Sequence, residues 1–247
     1  MTVTQDYPIS IPTHAILFDL DGTLVDSTDA IVAYWTRFGN QHNIPPERIL
    51  ATSHGKRTVD TLLEHTPHLV SDTIAHELES DLPKEFGDKA RTIRGAFDFL
   101  QRVDTLYSCD DDDSDGRRRR WWGIVTSGSY SLASQWLDMF GMPIPDVFIT
   151  AEKVDKGKPN PEGYLLGRKL LSADQSAGRK AVVFEDAPAG IRAGKAAGAV
   201  VVGIVSTHTK DEVIAAGADF VVADLLAVDV VRVEDSDEFI VRVLQEA

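Results

Sequence analysis

Two aspartates, Asp19 and Asp21, stand one residue apart in "AILFDLDGTLVDS", residues 15–27. Side chains two apart on a strand point to the same side. An apolar run therefore delivers both carboxylates to one place, just before the turn-forming Gly22. Two carboxylates that close repel each other. The repulsion is relieved by a divalent cation, which takes oxygen ligands, or by a proton that makes one carboxyl an acid.

Three later stretches end apolar runs with chemically useful groups. "VTSG" places Thr126 and Ser127 before a helix, where hydroxyls and backbone N–H groups suit a phosphate. "KGKPNPEG" places Lys158 before a Pro-initiated helix, and an ammonium there can neutralise phosphate charge. "VVFEDAPAG" adds Glu185 and Asp186, a further carboxylate source for a cation. Each alone reads equally well as turn or cap chemistry. Their order, each at the end of an expected strand, carries the functional reading.

The elements that position them follow from periodicity. Strands are expected at residues 15–20, "WWGIVTS", "VFITAE", "KAVVFED", "VVVGIV" and "DFVVADL". Between them lie the helical patterns "GAFDFLQRV", "YSLASQWLDMFG", "PEGYLLGRKLL", "PAGIRAGKAAG" and "KDEVIAAG". Val-rich, continuously apolar strands are buried on both faces and parallel. The alternation predicts an α/β fold, a doubly wound parallel sheet with helices on both faces. Ligands on such sheets bind at the carboxyl ends of the strands.

Residues 27–92 break the alternation. They read as helices without a strand, beginning with Ile31, Tyr34, Trp35 and Phe38 at helical spacing behind a cap at Asp26 or Ser27. They form a helical insertion in a core made of residues 1–26 and 93–247. The closing "VEDSDEFIVRVLQEA" reads as an amphipathic helix, and Asp219 carries no chemical signal. "SCDDDDSDGRRRRWW", residues 108–122, reads as a solvated insertion, with Trp121 and Trp122 opening the next strand.

Bulk properties narrow the function. The 247 residues are 43% hydrophobic and 26% charged, which suits a folded domain with a sizeable core. The net charge of -14 disfavours nucleic acid and anionic membranes as partners. No apolar run reaches the roughly 20 residues a membrane helix needs, and the first residues have no secretory pattern. Cys109 is the single cysteine, which excludes an intrachain disulfide and fits a reducing, cytoplasmic setting. It reads as incidental to any chemistry. Nothing points to an obligate protein partner.

"FDLDGT", "VTSG", "KGKP" and "FEDAPAG" resemble, in order, the four motifs of the haloacid dehalogenase superfamily of phosphohydrolases. The resemblance spans nearly the whole chain and makes the insertion a small α-helical cap. It implies that Asp19 is a nucleophile forming an aspartyl-phosphate and that Asp21 is the acid and then the base. It implies a Mg²⁺ cofactor on Asp19, the backbone carbonyl of Asp21, Asp186 and, directly or through water, Glu185. Thr126, Ser127 and Lys158 would bind phosphate.

"TSHGKRT", residues 52–58, is similar to the cap loop of fungal glycerol-phosphate and 2-deoxyglucose-6-phosphate phosphatases. His54, Lys56 and Arg57 are thereby candidates to close over a substrate, although His54 and Arg57 could instead only bond cap to core. Lys56 reads as a substrate contact rather than a Schiff base, because an alkoxide leaving group needs the Asp21 proton. The expected substrate is a small phosphorylated polyol or sugar. A phosphosugar mutase and a non-catalytic binding protein on the same scaffold are the alternatives.

Overall fold

The computed structural model describes residues 9–106, 121–171, 178–234 and 236–244. Cys109 and most of the acidic-basic stretch fall outside them. Strand β1 (Ile9–Thr13) precedes β2 (Ala15–Phe18), the strand that leads to Asp19. The chain then forms β3 (Val25–Asp26) and leaves for helices α1 (Thr28–His42), α2 (Pro46–Ser53), α3 (Thr58–His65) and α4 (Asp72–Phe86). It returns through β4 (Arg91–Thr92), antiparallel to β3. The Arg91 guanidinium bonds Asp26 at 2.6 Å across this two-stranded neck.

The remainder alternates: α5 (Ala96–Thr105), β5 (Trp122–Val125), α6 (Tyr130–Met139), β6 (Val147–Ile149), α7 (Glu162–Leu170), β7 (Ala181–Glu185), α8 (Pro188–Ala196), β8 (Val200–Ile204), α9 (Lys210–Ala215) and β9 (Phe220–Val222). Six of these strands form one parallel sheet in the order β6-β5-β2-β7-β8-β9. Strands β2, β5 and β7 thus lie side by side, and their carboxyl ends carry Asp19, Thr126 and Asp186 to one edge.

Every residue of β2 and β7 is buried, because helices cover both faces. Ile16, Phe18, Val182 and Phe184 pack with α5, α6 and the aromatic residues of α1. Leu17, Val183 and Tyr164 pack on the opposite face with α7, α8 and α9. Phe18 stacks on Phe184 at 5.0 Å and meets Phe99 edge-on at 5.9 Å, just beneath Asp19. Truncating such a ring costs about 3–5 kcal/mol, so the floor of the site is also a main source of stability.

The C-terminal segment departs from expectation. It is not a helix: β10 (Val228–Arg232) and β11 (Phe239–Val243) pair antiparallel, and β1 joins β11 from the other side. "FIVRV" alternates buried and partly exposed positions with period two, and Phe239 stacks on Trp121 at 3.9 Å. Tertiary pairing on both edges outweighs the helical propensity of its neighbours. The β1 strand was likewise unanticipated. Trp122 opens β5 as expected, whereas β2 stops at Phe18, two residues before the expected end. Among the described residues no helix is long and apolar enough to cross a membrane.

Candidate active site

Asp19 follows β2, and its backbone N–H donates to the Phe184 carbonyl of β7 at 3.0 Å. Its carboxylate Oδ1 accepts from Lys158 Nζ at 2.5 Å, and the same ammonium donates to Glu185 Oε1 at 2.7 Å. All three groups are buried. Burial pushes the Asp19 carboxyl up to about 6 against the pull of Lys158. Burial works to lower the Lys158 pKa, but Asp19 and Glu185 outweigh it and hold the ammonium above the usual lysine range. Lys158 is therefore charged at any physiological pH.

Asp21 lines the same cleft as Asp19. Burial pushes it up to about 7, opposed by the Ser27 hydroxyl, which donates to Asp21 Oδ1 at 2.6 Å. Ser27 precedes α1 but makes no side-chain cap bond. Asp26 serves that end instead, accepting from Thr28 N–H at 3.2 Å. A carboxyl that titrates near neutrality is suited to give and take protons.

Glu185, Asp186 and Asp19 present oxygens within 4.8 Å of one another. Their surroundings differ. Glu185 Oε1 also accepts from Tyr164 OH at 2.9 Å, and Oε2 accepts the N–H groups of Asp186 and Ala187, each at 3.0 Å. Four donors thus hold Glu185. Asp186 accepts from the Thr23 hydroxyl at 3.4 Å and from the Thr207 hydroxyl. Burial and then Glu185 push the Asp186 carboxyl well up. Asp21, whose side chain turns to Ser27, is not in this carboxylate cluster.

Three buried carboxyls around one ammonium, with the partly buried Asp21 beside them, leave an excess of negative charge, which fits a divalent cation. Gly22 has a positive φ of 92°, and a Cβ there would fall 2.2 Å from Asp186 Oδ2. Only glycine lets the turn after Asp21 approach that carboxylate so closely.

Thr126 follows β5, and its Oγ1 accepts from Gly128 N–H at 3.0 Å. Ser127, also expected to bind phosphate, spends its hydroxyl on the Gly55 carbonyl of the helical insertion at 2.9 Å. The loop between α2 and α3 is thereby seated on the core. His54 and Lys56 line the cleft with Asp19 and Thr126. The His54 ring faces His208 edge-on at 6.0 Å, and burial lowers the pKa of each. Lys56 Nζ bonds Glu64 at 2.9 Å.

Arg57 turns away from this cleft. Its guanidinium grips both oxygens of Asp60 at 2.8 and 3.0 Å and donates to the Val154 carbonyl at 3.1 Å. It is a bond from insertion to core, the second of the two readings open for it.

The cleft holds roughly 870 Å³ of space, part of it open to solvent. Sequence reasoning missed several of its members. Ser53, Glu79 and Thr207 line it, and Tyr164 orients Glu185. Glu79 sits inside an amphipathic helix, where a carboxylate reads as solvent-facing. Nothing in the local pattern marks its burial.

A family model described as haloacid dehalogenase-like hydrolase matches residues 13–198. The chain is 42% identical over 224 residues to 2-deoxyglucose-6-phosphate phosphatase 1 of Saccharomyces cerevisiae, covering 87% of this chain and 89% of that one. It is 36% identical over 220 residues to glycerol-1-phosphate phosphohydrolase 2 of the same yeast, covering 87% and 84%. It is 36% identical over 198 residues to hexitol phosphatase A of Escherichia coli, covering 76% and 81%. Among solved structures, a hydrolase from Pseudomonas syringae superposes with a TM-score of 0.67 at 25% identity, covering 86% of this chain and 95% of that one.

Proposed function

The chain belongs to the haloacid dehalogenase-like hydrolases and is a phosphoric monoester hydrolase, and we propose that it acts on small phosphorylated polyols or sugars through an aspartyl-phosphate. The observation that carries this reading is the pairing of buried Asp19 with Lys158 at 2.5 Å, in one cleft with Asp21 and Thr126. The relatives named above are phosphatases of glycerol phosphate, a deoxyhexose phosphate and hexitol phosphates. That favours hydrolysis over a mutase or a silent binding protein.

In the proposed reaction an Asp19 oxygen attacks phosphorus while the bond to the ester oxygen breaks. Asp21 gives its proton to the departing alkoxide, so the alcohol leaves neutral. Asp21 then takes a proton from a water that attacks the aspartyl-phosphate, releasing phosphate and restoring Asp19. Lys158 and the Thr126 hydroxyl hold the phosphoryl oxygens during both steps. Asp19, Asp186 and the Asp21 carbonyl would hold Mg²⁺, with Glu185 acting through water because four donors already occupy it. When bound, the ion supplies positive charge that offsets the phosphoryl oxygens.

Residues 27–92 serve as the cap, with His54 and Lys56 of its loop facing the substrate and Arg57 fastening that loop to the core. The substrate is free of nucleic acid and membrane, and the setting is the cytoplasm. The test is phosphate release, with Mg²⁺, from a panel of glycerol, hexitol and hexose phosphates. The reading predicts turnover of at least one and a loss of about 10³-fold or more in Asp19→Asn. A silent panel, or an active Asp19→Asn protein, overturns it.

A further inference from the structure

The half of the cleft contributed by the helical insertion carries groups that phosphoryl chemistry leaves unused. Ile31, Tyr34, Trp35, Leu78 and Leu82 give it apolar and aromatic walls. Two polar groups stand among them. Ser53, at the end of α2, is 7% exposed, and its Oγ has no hydrogen-bond partner among the described residues. Glu79, on α4, is 5% exposed. A buried polar atom without a partner is costly, so an orphan hydroxyl on a residue that lines the cleft marks a place where a ligand group could bond it.

Glu79 is fixed in place. The backbone N–H of Ser129, at the start of α6, donates to Glu79 Oε2 at 2.6 Å, and the Thr58 hydroxyl also bonds the carboxylate. Burial raises the Glu79 pKa, and the bonds from Ser129 and Thr58 oppose that by favouring the carboxylate. The carboxylate lies within electrostatic range of Asp21. Among the described residues lining the cleft, the one lysine or arginine is Lys56, which pairs with Glu64.

We infer that Ser53 and Glu79 form a hydroxyl-binding subsite for the leaving group, and that Glu79 excludes substrates carrying a second anionic group. A polyol or sugar O–H can donate to the Glu79 carboxylate and exchange a hydrogen bond with Ser53, while its carbon skeleton covers Tyr34 and Trp35. A site built to bond a substrate hydroxyl rejects an analogue without one, because its own polar groups are then left unpaired. A carboxylate or second phosphoryl group would meet a buried like charge and be disfavoured. The same repulsion opposes a mutase, whose bisphosphate intermediate must place a second phosphoryl group against this wall.

The inference rests on the phosphatase reading, and one experiment separates the two. Values of kcat/KM are measured with Mg²⁺ for three substrates on the wild type, Glu79→Gln and Ser53→Ala. The substrates are a neutral polyol monophosphate such as glycerol phosphate, phosphoglycolate, whose tail is a carboxylate, and p-nitrophenyl phosphate, which offers no hydroxyl. Glutamine keeps an oxygen for Ser129 N–H and removes the charge. The wild type is expected to favour glycerol phosphate over phosphoglycolate, and Glu79→Gln to shrink that ratio about tenfold or more. Ser53→Ala is expected to raise KM for glycerol phosphate several-fold relative to p-nitrophenyl phosphate. Turnover with both ratios unmoved overturns the subsite alone. A wild type that hydrolyses none of these three and none of the glycerol, hexitol and hexose phosphates of the panel overturns the phosphatase reading and the subsite with it. For one active only on a hexitol or hexose phosphate, that ester takes the place of glycerol phosphate in the ratio.

Discussion

Asp19 and Asp21 share a cleft, and their partners differ in a way that suits the two roles proposed for them. Lys158 lies against Asp19 and favours its ionised form, which a nucleophile needs. Ser27 meets Asp21, and burial still lifts Asp21 to about 7. The pH dependence of stability follows. Both carboxyls bind protons more tightly folded than at their ordinary value of 3.8. As pH rises from there to about 7, the unfolded chain releases protons that the metal-free folded chain keeps. Stability therefore falls across that window and is highest at its acid end, as far as these two groups decide it. A divalent cation competes with those protons, so it stabilises most where the carboxyls are ionised. Melting temperatures with and without Mg²⁺ should show a larger increment near pH 8 than near pH 5. Equal increments at both would contradict this account of the pair.

At the scale of elements, the strand ends were readable because a continuous apolar run gives way abruptly to Asp, Thr or Glu. The helical insertion was readable because its apolar residues change period at Ile31. What lay beyond reach was tertiary. Ser127 lines the cleft as its motif suggested, but its hydroxyl contact to the Gly55 carbonyl could not be read from the sequence. Glu79 and Ser53 look like solvent positions until α4 and α2 fold over the sheet. The closing strand reads as a helix in sequence because its five residues of period two are flanked by helix-forming residues, and only pairing with β1 and β10 decides for the strand. The Gly55 seat makes a specific prediction. Gly55 has a φ of 72°, and a Cβ there would stand 3.1 Å from Ala187 Cβ. Gly55→Ala strains the backbone by about 1–3 kcal/mol and wedges the loop off the core. We expect kcat/KM for the preferred phosphate ester to fall about tenfold or more, with the melting transition lowered but still cooperative. Unchanged kinetics would mean that this contact does not seat the cap.

At the scale of the molecule, one parallel sheet brings the ends of β2, β5 and β7 together, while the β3–β4 neck lets a helical layer stand over them. The sheet fixes the chemistry of the phosphoryl group. The overhanging helices supply the apolar wall of the cleft, where the proposal places the leaving group. The whole arrangement makes one central demand: the phosphoryl group must pass through Asp19. The direct test is to quench the enzyme in acid during turnover of a phosphate ester with Mg²⁺ and to map the phosphorylated peptide by mass spectrometry. The account predicts one phosphoryl group on the peptide containing Asp19, absent from Asp19→Asn. A competent enzyme whose quenched Asp19 peptide never carries phosphate, or carries it on another residue, would contradict it.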